Sequence, residues 1–112
     1  PELFDAVAKA AIPIIDTFNS QALANTVNAF AKMDHGHSEL FEAVAKAATP
    51  IIDNFHSQHI ANTVSAFART RHATQTSKLL FTKISDELTA NPAVLQDWDD
   101  VALVVIAFAF MK

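Results

Sequence analysis

Apolar residues at Leu3, Val7, Ala11, Ile14 and Phe18 recur at spacings of four, four, three and four. That is the period of one face of an amphipathic helix. The series returns at Leu40, Val44, Ala48, Ile51 and Phe55. Pro13 and Pro50 fall inside these patterns, where proline removes a backbone hydrogen bond and clashes with the preceding turn. The apolar phase runs through both prolines, which predicts a first helix that is kinked rather than ended. A second helix follows in each case. Its apolar face is Leu23, Val27, Phe30 and Ala31, matched by Ile60, Val64, Phe67 and Ala68. Asn19 or Ser20, and His56 or Ser57, occupy the N-cap region of these second helices.

The recurrence extends to the letters themselves. Glu2 to Met33 and Glu39 to Thr70 are identical at 23 of 32 aligned positions, at an offset of 37 residues. Self-similarity at a period of this size is the mark of a stacked-repeat architecture. A third, degenerate copy follows. Ser77 can cap a helix carrying Leu79, Leu80, Ile84 and Leu88, which Asn91-Pro92 should end, and Asp97 can cap a last helix. There Ala107-Phe108-Ala109 echoes Ala29-Phe30-Ala31 and Ala66-Phe67-Ala68. The expected fold is all-α, an α-solenoid of three stacked helix-turn-helix repeats. Residues 1–112 form a single domain, with repeats 1–37, 38–75 and a degenerate 76–112.

The last predicted helix has no polar face. Val101, Val104, Val105, Phe108 and Phe110 are joined by apolar residues on every side. A helix hydrophobic all round is normally buried all round, whereas a terminal repeat of a soluble solenoid carries a polar outer face. This helix is therefore a candidate partner-binding element. At eleven residues from Val101 to Met111 the apolar run is too short for the ~20 residues that a membrane span needs. The chain opens on Pro1 with no visible targeting peptide, as expected of a processed protein or of a piece of a longer one.

Composition narrows the function classes. The chain is 51% hydrophobic with one glycine, no cysteine and a net charge of −4. Disulfide, thiol and thiolate-zinc chemistry are excluded. An acidic balance is the wrong sign for a free-standing nucleic-acid binder, because phosphate contacts supply most non-specific affinity. A local basic surface remains compatible with it. Lys9 with Lys46, and Lys32 with Arg69, should form two short ladders, the second extended by Arg71 and His72. Asp16 and Asp53 form an opposing ladder.

Asn25 and Asn62 occupy the same mid-helix position in both copies, where Asn is a mediocre helix former. A hydrogen bond from one hairpin to the next is the leading role for these amides, and an RNA contact the alternative. Gln21 and Gln58, in the first turns of the second helices, are assigned to inter-repeat or ligand contacts in the same way. Thr26 and Thr63 can bond back to the preceding turn. His35 and His37 flank the only glycine in the expected inter-repeat turn, and His56 and His59 stand three apart. Neither pair has the further ligands of a tetrahedral metal site, so no metal or cofactor is assigned. Asp97, Asp99 and Asp100 are explained by a helix N-terminus. No catalytic triad order, phosphate loop or nucleophile elbow is present, and no enzyme activity is expected.

The string Gln21-Ala22-Leu23-Ala24-Asn25-Thr26-Val27 with Ala29-Phe30-Ala31-Lys32, and its copy from Gln58 to Arg69, resembles the octotricopeptide-type repeat. The resemblance implies helix hairpins of about 38 residues and RNA binding in an organelle, the chloroplast ahead of the mitochondrion. Three units reading about one base each would span only a few nucleotides. On these grounds the leading expectation is a non-catalytic scaffold or accessory subunit of a larger organellar assembly, docked through its last helix. The alternative is an organellar RNA-binding repeat protein, acting on single-stranded RNA in transcript processing, stability or translation.

Overall fold

A computed structural model describes residues 2–72 and 74–90 of the chain. Among them are five α-helices: α1 (Glu2–Ala11), α2 (Ser20–Lys32), α3 (Ser38–Ala48), α4 (Ser57–Thr70) and α5 (Gln75–Ala90). Short 3-10 segments, Ile12–Thr17 and Thr49–Asn54, continue α1 and α3, and no strand occurs among the described residues. The predicted last helix, with Val101, Val104, Val105, Phe108 and Phe110, lies outside the described residues.

The predicted kinks take a specific form. Each proline falls in the first turn of a 3-10 segment rather than inside an α-helix. Its missing N–H and fixed φ are harmless there. The chain therefore keeps its apolar phase while tightening its pitch, and Ile51 alone leaves helical geometry (φ −114°, ψ 16°). The second helices start where their caps allow. Asn19 Oδ1 accepts from the Ala22 N–H at 2.8 Å. At α4 the histidine is the cap, with His56 and His59 in a reciprocal capping box. In the third unit the cap is Thr74, three residues before the predicted Ser77. The Thr74 N–H donates to Ser77 Oγ at 2.7 Å, and the Ser77 N–H returns to Thr74 Oγ1 at 3.2 Å. Ser77 is buried, which is affordable only because its hydroxyl is bonded.

Both hairpins end in the same way. Asp34 and Arg71, one repeat apart, adopt left-handed conformations (φ 54° and 57°). His35 N–H reaches back to Phe30 O at 2.8 Å and His72 N–H to Phe67 O at 3.1 Å. These are Schellman closures, which satisfy the last carbonyls of α2 and α4. The expected turn glycine plays a different part. Gly36 has no positive φ; a Cβ there would come within 3.0 Å of Thr70 Cβ, so it permits close approach of the turn to the end of α4.

The helices pack by kind. α2 lies along α4, while α1 and its 3-10 segment lie on α3, and α3 and its own segment lie on α5. Ser20 Oγ is 3.2 Å from His59 Nδ1 at the helix starts, and Arg69 Nε is 3.5 Å from Asp34 Oδ1 at their ends. Contacts at both ends make α2 and α4 parallel and in register. The core runs between the two sets of helices and is built from Leu23, Val27, Phe30, Leu40, Phe41, Val44, Ile60, Val64, Phe67, Leu80, Phe81 and Ile84.

Candidate nucleic-acid interface on the second helices

The parallel alignment of α2 and α4 turns the sequence repeat into a surface. Gln21, Asn25 and Lys32 are exposed along α2, with Asn28 half-buried between them. On α4 the same register positions carry Gln58, Asn62, Ser65 and Arg69, all exposed except the half-buried Asn62. Spacings of four, three and four keep each set on one helix face. The result is two neighbouring stripes of amides, each ending in a cation, with Asp34, just past the end of α2, set against Arg69. Exposed helix faces are usually laced with opposite charges at i, i+4. These are not. None of the chain's 12 acidic residues lies in α2 or α4, although the net charge is −4.

The amides do not bridge the hairpins. Among the described residues the Gln21 and Asn25 side chains make no hydrogen bond, and Gln58 Nε2 donates within its own helix to Asn62 Oδ1 at 3.1 Å. The inter-hairpin bond expected of Asn25 and Asn62 is made by Ser20 and His59 instead. Thr26 and Thr63 bond back to the carbonyls of Ala22 and His59, at 2.7 and 2.8 Å.

The five cations separate. Lys32, Arg69 and Arg71 gather at the ends of α2 and α4, where the helix dipoles favour positive charge. Lys9 and Lys46 stand on α1 and α3, in the other set of helices. Lys46 lines an open cleft of about 420 Å³ together with Ile12, Ser38, Glu39, Glu42, Ala43, His72 and Thr74. Two carboxylates beside it make that cleft a poor phosphate site. No group of residues suited to a metal ion occurs among the described residues.

The histidines carry structure that the spacing of the sequence only half reveals. His35 bonds Asp5 at 3.1 Å and stacks between Phe4 and Phe30, with centroids at 5.6 and 5.7 Å. One repeat on, His72 bonds Glu42 at 3.2 Å against Phe41 and Phe67, at 5.8 and 5.6 Å. Each Schellman closure thus drops a histidine onto the aromatic pair of its own hairpin and clasps it to the first helix. His72 therefore closes the second hairpin rather than extending the basic ladder. Position 35 aligning with 72, and 5 with 42, was the available signal.

Among the described residues two groups, Glu42 and His59, are shifted from their ordinary values. Hydroxyls of Thr76 and Thr74, together with His72, hold the Glu42 carboxyl below its ordinary 4.5, against an opposing effect of burial. Burial, with the neighbouring His56 adding to it, holds His59 below its ordinary 6.5. His59 Nδ1 receives the His56 N–H at 3.4 Å and lies 3.2 Å from Ser20 Oγ, so a proton there would break the first bond and force the Ser20 hydroxyl to turn and accept. A lowered pKa gives stability that is present above the unfolded value and lost as pH falls. The thermal midpoint should therefore drop in two steps on acidification, below pH 6.5 for His59 and below 4.5 for Glu42. Circular-dichroism melts from pH 7 to 3 check this. His59→Gln should remove the upper step and Glu42→Gln the lower.

The described residues are thus all-helical, and their second helices expose an acid-free, amide-bearing layer. A family model for RESC6, the RNA-editing substrate-binding complex 6 protein, matches residues 1–112, and the chain belongs to that family. The match is to RESC6 and not to the octotricopeptide family that the duplicated string resembles. No curated protein and no solved structure shows significant similarity to the chain.

Proposed function

We propose that this chain is a non-catalytic helical-repeat component of an RNA-editing complex and holds single-stranded RNA along the α2–α4 layer. The carrying observation is the acid-free pair of amide stripes, which end in Lys32 and Arg69 and leave Gln21 and Asn25 without a hydrogen-bond partner among the described residues. Unpaired amides offer donors and acceptors to base edges, and repeat proteins of this kind read about one base per unit with two or three side chains. Family membership supports the RNA reading, which stood second on sequence alone, ahead of a purely protein-binding scaffold. Protein contacts within the complex remain part of the proposal. The family belongs to kinetoplastid mitochondrial editing complexes, which favours the mitochondrion over the chloroplast. The stacking of like helices on like supports a short α-solenoid.

The test is a fluorescence-anisotropy titration with a short single-stranded RNA at 50 and 200 mM salt. Binding should weaken with salt, with a slope of roughly 0.7 per phosphate contacted. Replacing Gln21, Asn25, Gln58 and Asn62 together by alanine should weaken binding by about tenfold or more, as loss of one or two base contacts of about 1–3 kcal/mol each requires. Alanine at the cleft residue Lys46 should leave binding nearly unchanged. Salt-independent binding, or equal losses from both changes, would overturn the reading.

A further inference from the structure

Gln21 and Asn25 on α2, and Gln58 and Asn62 on α4, stand in the first two turns of their helices, and all of them are carboxamides. A carboxamide offers a hydrogen-bond acceptor beside a donor group. The pairing edges of adenine (N1 and the N6 amino group), cytosine (N3 and the N4 amino group) and uracil (O4 and N3–H) show the same mixed pattern. Each can therefore be met by an amide through two bonds. Guanine differs. Its N1–H and N2 amino group stand side by side and call for two acceptors, which a carboxylate supplies. Its O6 and N7 call for two donors, which an arginine or lysine supplies. Its O6 and N1–H do match an amide, but that pairing leaves the adjacent N2 amino group without an acceptor.

Neither remedy is within reach of the amides. No Asp or Glu lies in α2 or α4. Lys32 and Arg69 stand seven residues beyond Asn25 and Asn62, about 10 Å further along each helix. Arg69 Nε is besides set against Asp34 Oδ1 at 3.5 Å. Asn28 and Ser65 add an amide and a hydroxyl between them, groups that donate as well as accept. On α4 one acceptor is already occupied, because Gln58 Nε2 donates to Asn62 Oδ1 at 3.1 Å. We propose that the α2–α4 layer selects against guanine and takes single-stranded RNA through adenine, cytosine and uracil. The selection rests on the RNA reading above and names the sequence class that this surface accepts. Its physical cause is the N2 amino group of guanine, for which the layer has no paired acceptors.

Three ten-nucleotide RNAs, titrated by fluorescence anisotropy against the whole chain, test the proposal. One is adenine throughout; in the others every second base is guanine, or inosine, which is guanine without the N2 amino group. All three are purine strands of equal phosphate charge, so differences between them report the base edges. Guanine should weaken binding about fivefold or more relative to adenine, the lower end for a mismatched base contact, and inosine by no more than about twofold. Asn25→Asp with Asn62→Asp keeps the side-chain shape and the acceptor for Gln58, and adds two free acceptors. This double variant should bind every strand more weakly, yet bring the adenine-to-guanine ratio close to one. Equal binding of the three strands would overturn the proposal and leave the RNA reading standing. So would an inosine strand as weak as the guanine strand, or a ratio that the two aspartates do not move. No binding of any strand would overturn both.

Discussion

Phe67→Ala should lower the folding free energy by about 3–5 kcal/mol, the usual range for removing a buried aromatic ring. Phe67 is fully buried and joins the second unit to the third. Its ring centroid lies 5.1 Å from Phe41 on α3, 5.6 Å from the clasping His72 and 5.8 Å from Phe81 on α5. The Phe41 and Phe81 contacts are edge-to-face, which adds to the area term. A small domain holds only about 5–15 kcal/mol in total, so one truncation removes a large share. A urea titration followed by circular dichroism measures it, and Phe67→Leu should cost clearly less. If Phe67→Ala unfolded at the wild-type midpoint, the ring would not join the units.

The pair Leu40→Ala and Leu3→Ala should separate by several kcal/mol. The two leucines share the local sequence Glu-Leu-Phe and the same helix position. Leu40 is fully buried in the inter-repeat interface, so its truncation should cost about 2–5 kcal/mol. Leu3 is 72% exposed, and surface changes of this kind stay within about 0.5 kcal/mol. Parallel denaturant titrations give the comparison, with slopes compared so that any change in compactness is detected. Equal costs would mean that α1 is covered within this chain.

Much of the candidate interface was legible before any coordinates. The positions of Gln21, Asn25, Lys32 and their copies follow from the repeat, and the helical period puts each set on one face. Counting carboxylates helix by helix would also have exposed the acid-free layer. What the sequence hid was which groups meet. Asn25 and Asn62 were expected to bridge hairpins, yet Ser20 and His59 do so. The five cations were expected on two ladders of one surface, yet Lys9 and Lys46 belong to the other set of helices. Local spacing specifies the face of a helix, but neighbours decide which faces come together.

The sequence by itself determined the units: helix lengths, the tolerated prolines, the offset of 37 residues and the apolar stripes, because each depends on contacts within a few turns. Only the tertiary structure decided the closures and the cover. Asp34 and Arg71 take the left-handed turns in place of Gly36, because the chain needs room beside Thr70 more than it needs a flexible φ there. His35 and His72 become clasps because those turns aim them at phenylalanines about thirty residues away in the first helices. Leu3 and Leu40 are the same residue in the same motif, and one is exposed while the other is buried. Burial belongs to the stack, and a unit's own letters cannot say what lies against it.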